Sequence, residues 1–83
     1  MNWQEIYDVG RADAQAHRQR AVLERADAAV CARKATTARD VDVGVLWLMR
    51  ALQQRSAAIS SDTASDISDR IADHAERVLA PAR

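Results

Sequence analysis

Helix breakers are almost missing from this chain: Gly10, Gly44 and Pro81 are its only glycines and proline in 83 residues. Tight β-hairpins depend on Gly, Pro and Asn-Gly type pairs, and none punctuates two alternating apolar runs here. A sheet is therefore not expected. The pattern predicts an all-α fold: a small bundle of about three helices in a single helical domain over residues 1–83.

The first helix has a start signal at Asn2, with Glu5 three residues on to complete a capping box. Nothing interrupts it before Thr36-Thr37, so one long N-terminal helix is expected. At 100° per residue, Trp3, Ile6, Tyr7, Gly10, Ala14, His17 and Ala21 share a face. Val22, Leu23, Ala26, Ala29 and Val30 share a different one, as if this helix served different neighbours along its length. Thr37 or Asp40 can cap a second, central helix to about Ile59, whose main face carries Val41, Val45, Leu48, Met49, Leu52 and Ile59. Ser60-Ser61-Asp62-Thr63 reads as a loop and cap. A third, amphipathic helix then runs to about Ala80, where Pro81 discourages continuation.

The central helix opens with Val43-Gly44-Val45-Leu46-Trp47-Leu48-Met49, seven residues without a polar side chain. Nearly two helical turns are thus apolar on every side. Val45, Leu48 and Met49 fall on the expected core face. Val43, Leu46 and Trp47 are surplus to it, and they form a candidate protein-binding or dimer interface. Trp3, on the first face of the N-terminal helix, is expected in the core. Large apolar side chains are few, Phe is absent, and Ala supplies much of the hydrophobic fraction. A chain of this length sits close to the size at which one core stops sufficing, and oligomerisation is a common remedy. A two-fold homodimer is the expected assembly, as the commonest closed symmetry.

Twelve basic and twelve acidic residues cancel, so no global field favours nucleic acid or an anionic membrane. Locally the charges segregate. Asp62, Asp66, Asp69, Asp73 and Glu76 form a regular stripe that could dock on a basic protein surface. Simple pairing at i,i+4, as in Asp66–Arg70 and Asp73–Arg77, would also account for it. Arg11, Arg18 and Arg25 recur every seven residues, with Arg33 beyond, and this row is the candidate nucleic-acid contact. Asp13, Glu24 and Asp27 interrupt its field. A helix-turn-helix over 35–52 with Gly44 at the turn lacks a cap for its second unit.

Catalytic chemistry finds no foothold. There is no Ser/His/Asp arrangement, no Gly-rich phosphate loop and no convergent carboxylate pair. His17, His74 and Cys31 lack metal-ligand spacing, so no metal or cofactor is expected. The histidines read as partly buried core residues that would approach each other if their helices packed face to face. Cys31 lies off the apolar face and reads as a plain thiol. Ser and Thr gather where helices start, as caps. The run at 43–49 is far shorter than the ~20 residues that span a bilayer, and the amphipathic N-terminus lacks the form of a signal peptide. A cytoplasmic protein is expected, with Arg- and Ala-rich usage suggesting a bacterial or phage source.

These readings converge on a non-enzymatic protein-binding module acting on a larger protein partner as stoichiometric inhibitor or adaptor. An anti-CRISPR-like phage or mobile-element inhibitor of host defence is one concrete form, by analogy of size and composition. The alternative is a small nucleic-acid-binding regulator using the Arg-rich first helix.

Overall fold

A computed structural model describes residues 2–82 as a helical hairpin: α1 (Trp3–Thr37), α2 (Val41–Leu79) and a closing 3-10 turn at Ala80–Ala82. The all-α fold and the single long N-terminal helix agree with expectation. The third helix does not exist as a separate element. Residues 60–63 lie inside α2, where the Thr63 hydroxyl donates to the Ile59 carbonyl one turn back (3.0 Å) rather than capping anything. Ser and Thr can bond within a helix as readily as cap one, so a polar quartet without Gly or Pro does not stop the chain.

Both helices begin on the residues that can cap them. The Asn2 side-chain oxygen accepts from the Glu5 backbone N–H (2.8 Å), and its amide donates to the Glu5 carboxylate (3.3 Å). Asp40 accepts from the backbone N–H groups of Asp42 and Val43. Thr37 works at the other terminus, donating to the Arg33 carbonyl at the end of α1. Residues 38–40 alone reverse the chain, which makes the two helices antiparallel neighbours.

The two helices meet along small side chains. Gly10, Ala14, Ala21, Ala28 and Cys31 are buried on α1, against Ala51, Ala58, Ser61, Ser65, Ser68, Ala72 and Ala75 on α2. Ala14, Ala21 and Ala28 repeat every seven residues, as do Ala51, Ala58, Ser65 and Ala72. A seven-residue repeat of this kind keeps the same faces of two helices together along a left-handed supercoil. Their backbones come close. A Cβ added at Gly10 would lie 3.1 Å from both the Ala72 Cβ and the Ser68 carbonyl oxygen.

The consequence for the core is severe. Among the described residues the only apolar side chains buried are those of Ala and Cys, and the largest fully buried side chains are Cys31 and Ser65. Sixteen large apolar side chains of the described residues are exposed instead. Val45, Leu48 and Met49, expected in the core, are each about half exposed, and Trp3 is 42% exposed. Expectation assigned the core to the bulkiest stripe of α2, whereas the helices close on the stripe where their backbones can approach most. The outcome is a ribbon of 64 × 16 × 12 Å. Its radius of gyration is 18.5 Å, against about 12 Å for a compact domain of this length.

Candidate protein-interaction faces

A two-helix ribbon has two broad faces, and the ion pairs mark which is which. On one, Arg11 donates to Asp69 (2.8 Å) and Asp73 (2.6 Å) and approaches Glu76 at 3.5 Å. Arg18 donates to Asp69 (2.6 Å) and to the Ser65 hydroxyl (3.1 Å), and Arg25 pairs with Asp62. The guanidinium of Arg11 also rests on the Tyr7 ring. The arginine row of α1 and the acidic stripe of α2, each a candidate contact for a foreign molecule, are thus directed at each other across the hairpin. Asp73 engages Arg11 on the other helix rather than Arg77 one turn along its own. Asp66 and Arg33 take no part in this ladder among the described residues.

The pairing shifts the acids and bases together. Hydrogen bonds from Arg18 and then Arg11 hold the Asp69 carboxyl below its ordinary 3.8. Asp73 first, with Tyr7 and Asp69, raises Arg11, and Asp62 raises Arg25. Off the ladder, a hydrogen bond from Gln54 at 2.7 Å, reinforced by Arg50, lowers Asp27. Depressed carboxylates bind fewer protons folded than unfolded, so their contribution is complete above the unfolded value and lost as pH falls through the folded one. Thermal unfolding followed by circular dichroism should therefore give a midpoint that falls steeply below about pH 4. Asp69→Asn should flatten part of that acid limb; a wild-type midpoint unchanged at pH 3 would contradict the ladder.

The buried serines have the same electrostatic logic. Ser61 donates to Glu24 (2.6 Å) and Ser68 to Asp13 (2.7 Å), so each hydroxyl in the interhelical seam has a charged partner at its edge. Ser61, expected in a loop and cap, instead belongs to the seam. The available signal was spacing: the small residues at 44, 51, 58, 65 and 72 continue every seventh position straight through the expected loop. Cys31 belongs to the same seam and is buried, rather than lying off it. The histidines engage different neighbours. His74 packs edge-on against Trp3, while His17 faces Asp13 at 3.3 Å. If its Nε2 carries the proton toward Asp13, the unpartnered buried Nδ1 is left as a bare acceptor.

Apolar side chains are distributed unequally between the two faces. On the ladder face, Val41 and Leu48 lie on the line of α2 that continues, at sevens, into Asp62, Asp69 and Glu76. This face is therefore apolar over its turn half, where Ala32, Val41, Val45 and Leu48 line a shallow groove and the exposed Leu52 and Ile59 follow Val45 at sevens. The opposite face carries apolar side chains at intervals along the ribbon, with Asp13 and the Asp27–Arg50 pair among them. Near the termini Ile6, Val9 and Ile71 line one groove across both helices, with Trp3, Ile67 and His74 beside it. Leu23 and Val30 follow Val9 at multiples of seven on α1. Near the turn, Val43, Leu46 and Trp47 line a third groove with Arg50. Val43 and Leu46, two of the three residues singled out as surplus, are thus exposed on this face. Trp47 is half-buried there, with the Lys34 ammonium 4.4 Å from its ring centre.

No helix among the described residues is long and apolar enough to cross a membrane. The chain matches no protein-family model, and no match was found among curated proteins or solved structures, so the geometry is the basis for a functional reading.

Proposed function

We propose that this chain is a non-enzymatic protein-binding module, a dimer of helical hairpins that acts on a larger complex as stoichiometric inhibitor or adaptor. One observation carries the reading: the large apolar side chains are outside and the small ones inside. Scattered exposed apolar residues are ordinary, but contiguous apolar faces mark surfaces that another polypeptide covers. An inhibitor of host defence carried by a phage or mobile element is the concrete form its size suggests. The nucleic-acid alternative has less behind it, because Arg11, Arg18 and Arg25 already have carboxylate partners and a phosphate would have to compete with them.

The test is parallel affinity capture on immobilised wild type and Leu48→Glu/Leu52→Glu, from a lysate of the cells that express the protein. A target retained in fixed molar ratio by the wild type, and lost with the double variant at unchanged helicity, is the expected result. Retention of no protein by the wild type refutes the reading.

A further inference from the structure

We infer that the face opposite the arginine ladder is covered by a second copy of this chain, forming a two-fold four-helix bundle. The turn end of the ladder face then stays open for a target. The inference rests on the protein-binding reading and names one partner within it.

Surface area is the first argument. The hairpin exposes 5934 Å² at 9.2 kDa, whereas a folded monomer of that mass exposes roughly 4,900 Å². The excess of about 1,000 Å² is close to the ~800 Å² that each partner buries in a stable, specific interface.

Shape is the second. The strip of apolar side chains runs from Ile6 and Ile71 near the termini, through Leu23 and Val30, to Val43 and Leu46 near the turn, with Asp13 and the Asp27–Arg50 pair along its edge toward the seam. It spans most of a 64 Å ribbon. A small globular domain about 30 Å across would cover only half of it. Another hairpin of equal length covers all of it, and brings an equally apolar strip of its own.

Folding supplies the third. Among the described residues the interhelical seam fully buries no side chain larger than Cys31 or Ser65, and helices draw most of their stability from packing an apolar face. Such a hairpin needs a permanent cover. A second copy is the one polypeptide present whenever this chain is made.

The deciding measurements are molar mass by sedimentation equilibrium and thermal midpoint across micromolar concentrations. The wild type should weigh twice 9.2 kDa, with a midpoint that rises with concentration because assembly and folding are linked. Leu23→Glu/Ile67→Glu should lose the dimer and much of its helicity, whereas Leu48→Glu/Leu52→Glu should keep both. A wild type at 9.2 kDa with a concentration-independent midpoint overturns the inference without recourse to any variant. So does a dimer that survives the first pair and is abolished by the second. A monomer that still captures a target through Leu48 and Leu52 would remove the dimer alone. A dimer that captures nothing would remove the target and leave this inference standing.

Discussion

Thr63→Pro should destabilise this protein by about 3 kcal/mol or more, the cost of proline inside a helix. The position is exposed and mid-helix in α2, so no core packing is disturbed and the effect is one of backbone alone. The ring removes the bond from the residue 63 N–H to the Ile59 carbonyl and collides with that same carbonyl. For a domain of this size each kcal/mol moves the thermal midpoint by roughly 4–8 °C, so a fall of more than about 10 °C is expected at matched protein concentration. Thr63→Ala is the control. It deletes the hydroxyl that bonds the Ile59 carbonyl and leaves a better helix former, so it should be neutral or slightly stabilising. Were residues 60–63 a loop between two helices, proline would be nearly harmless there. A Thr63→Pro protein with a wild-type midpoint would therefore restore the three-helix bundle and remove the hairpin.

Ala21→Leu should be nearly as damaging for the opposite reason. Ala21 is fully buried, on the seven-residue line of Ala14 and Ala28 that faces α2. A leucine there cannot swing aside, because α2 faces it along its whole length, and the helices must part locally. Overpacking of this kind costs about 1–3 kcal/mol. Parting also weakens the neighbouring contacts Glu24–Ser61 and Arg25–Asp62, which depend on the same separation. Ala26→Leu makes the same chemical change at an exposed position five residues along and should leave the midpoint within error. Equal midpoints for the two variants, measured by circular dichroism, would mean that the helices do not meet on their small residues.

What was legible in the sequence follows from how local each cause is. The helices, their caps at Asn2 and Asp40 and the absence of strands depend on residues a few positions apart, and they were read from such residues. The long α1 was legible because nothing in it breaks a helix. The continuity of α2 through Ser60–Thr63 is hidden from local inspection, because residue type there suggests a cap and only the longer repeat of small residues argues otherwise. The core was inverted for a related reason. Ranking side chains by size selects Val45, Leu48 and Met49, yet two backbones in close approach can enclose only Ala, Gly, Ser and Cys. The arginine row and the acidic stripe were each visible at their correct spacing. Their mutual pairing was not, since it requires the antiparallel register that joins Arg11 to residues 58 and 62 positions away.

That register has an unusual keeper. The alanine lines of both helices repeat every seven residues, and so do Arg11, Arg18 and Arg25 opposite Asp62, Asp69 and Glu76. Sliding α2 along α1 by seven would again set small on small and most arginines beside acids. The seam and the ladder thus behave like a ratchet with equivalent teeth, able to grip but nearly indifferent to which tooth is engaged. Single-use contacts, such as Trp3 with His74 and Lys34 with Trp47, distinguish the teeth only weakly at the two ends. The choice is made by the tether at 38–40, too short to let the helices travel past one another. Three residues, among them the Asp40 cap of α2, thereby set the alignment of some seventy others.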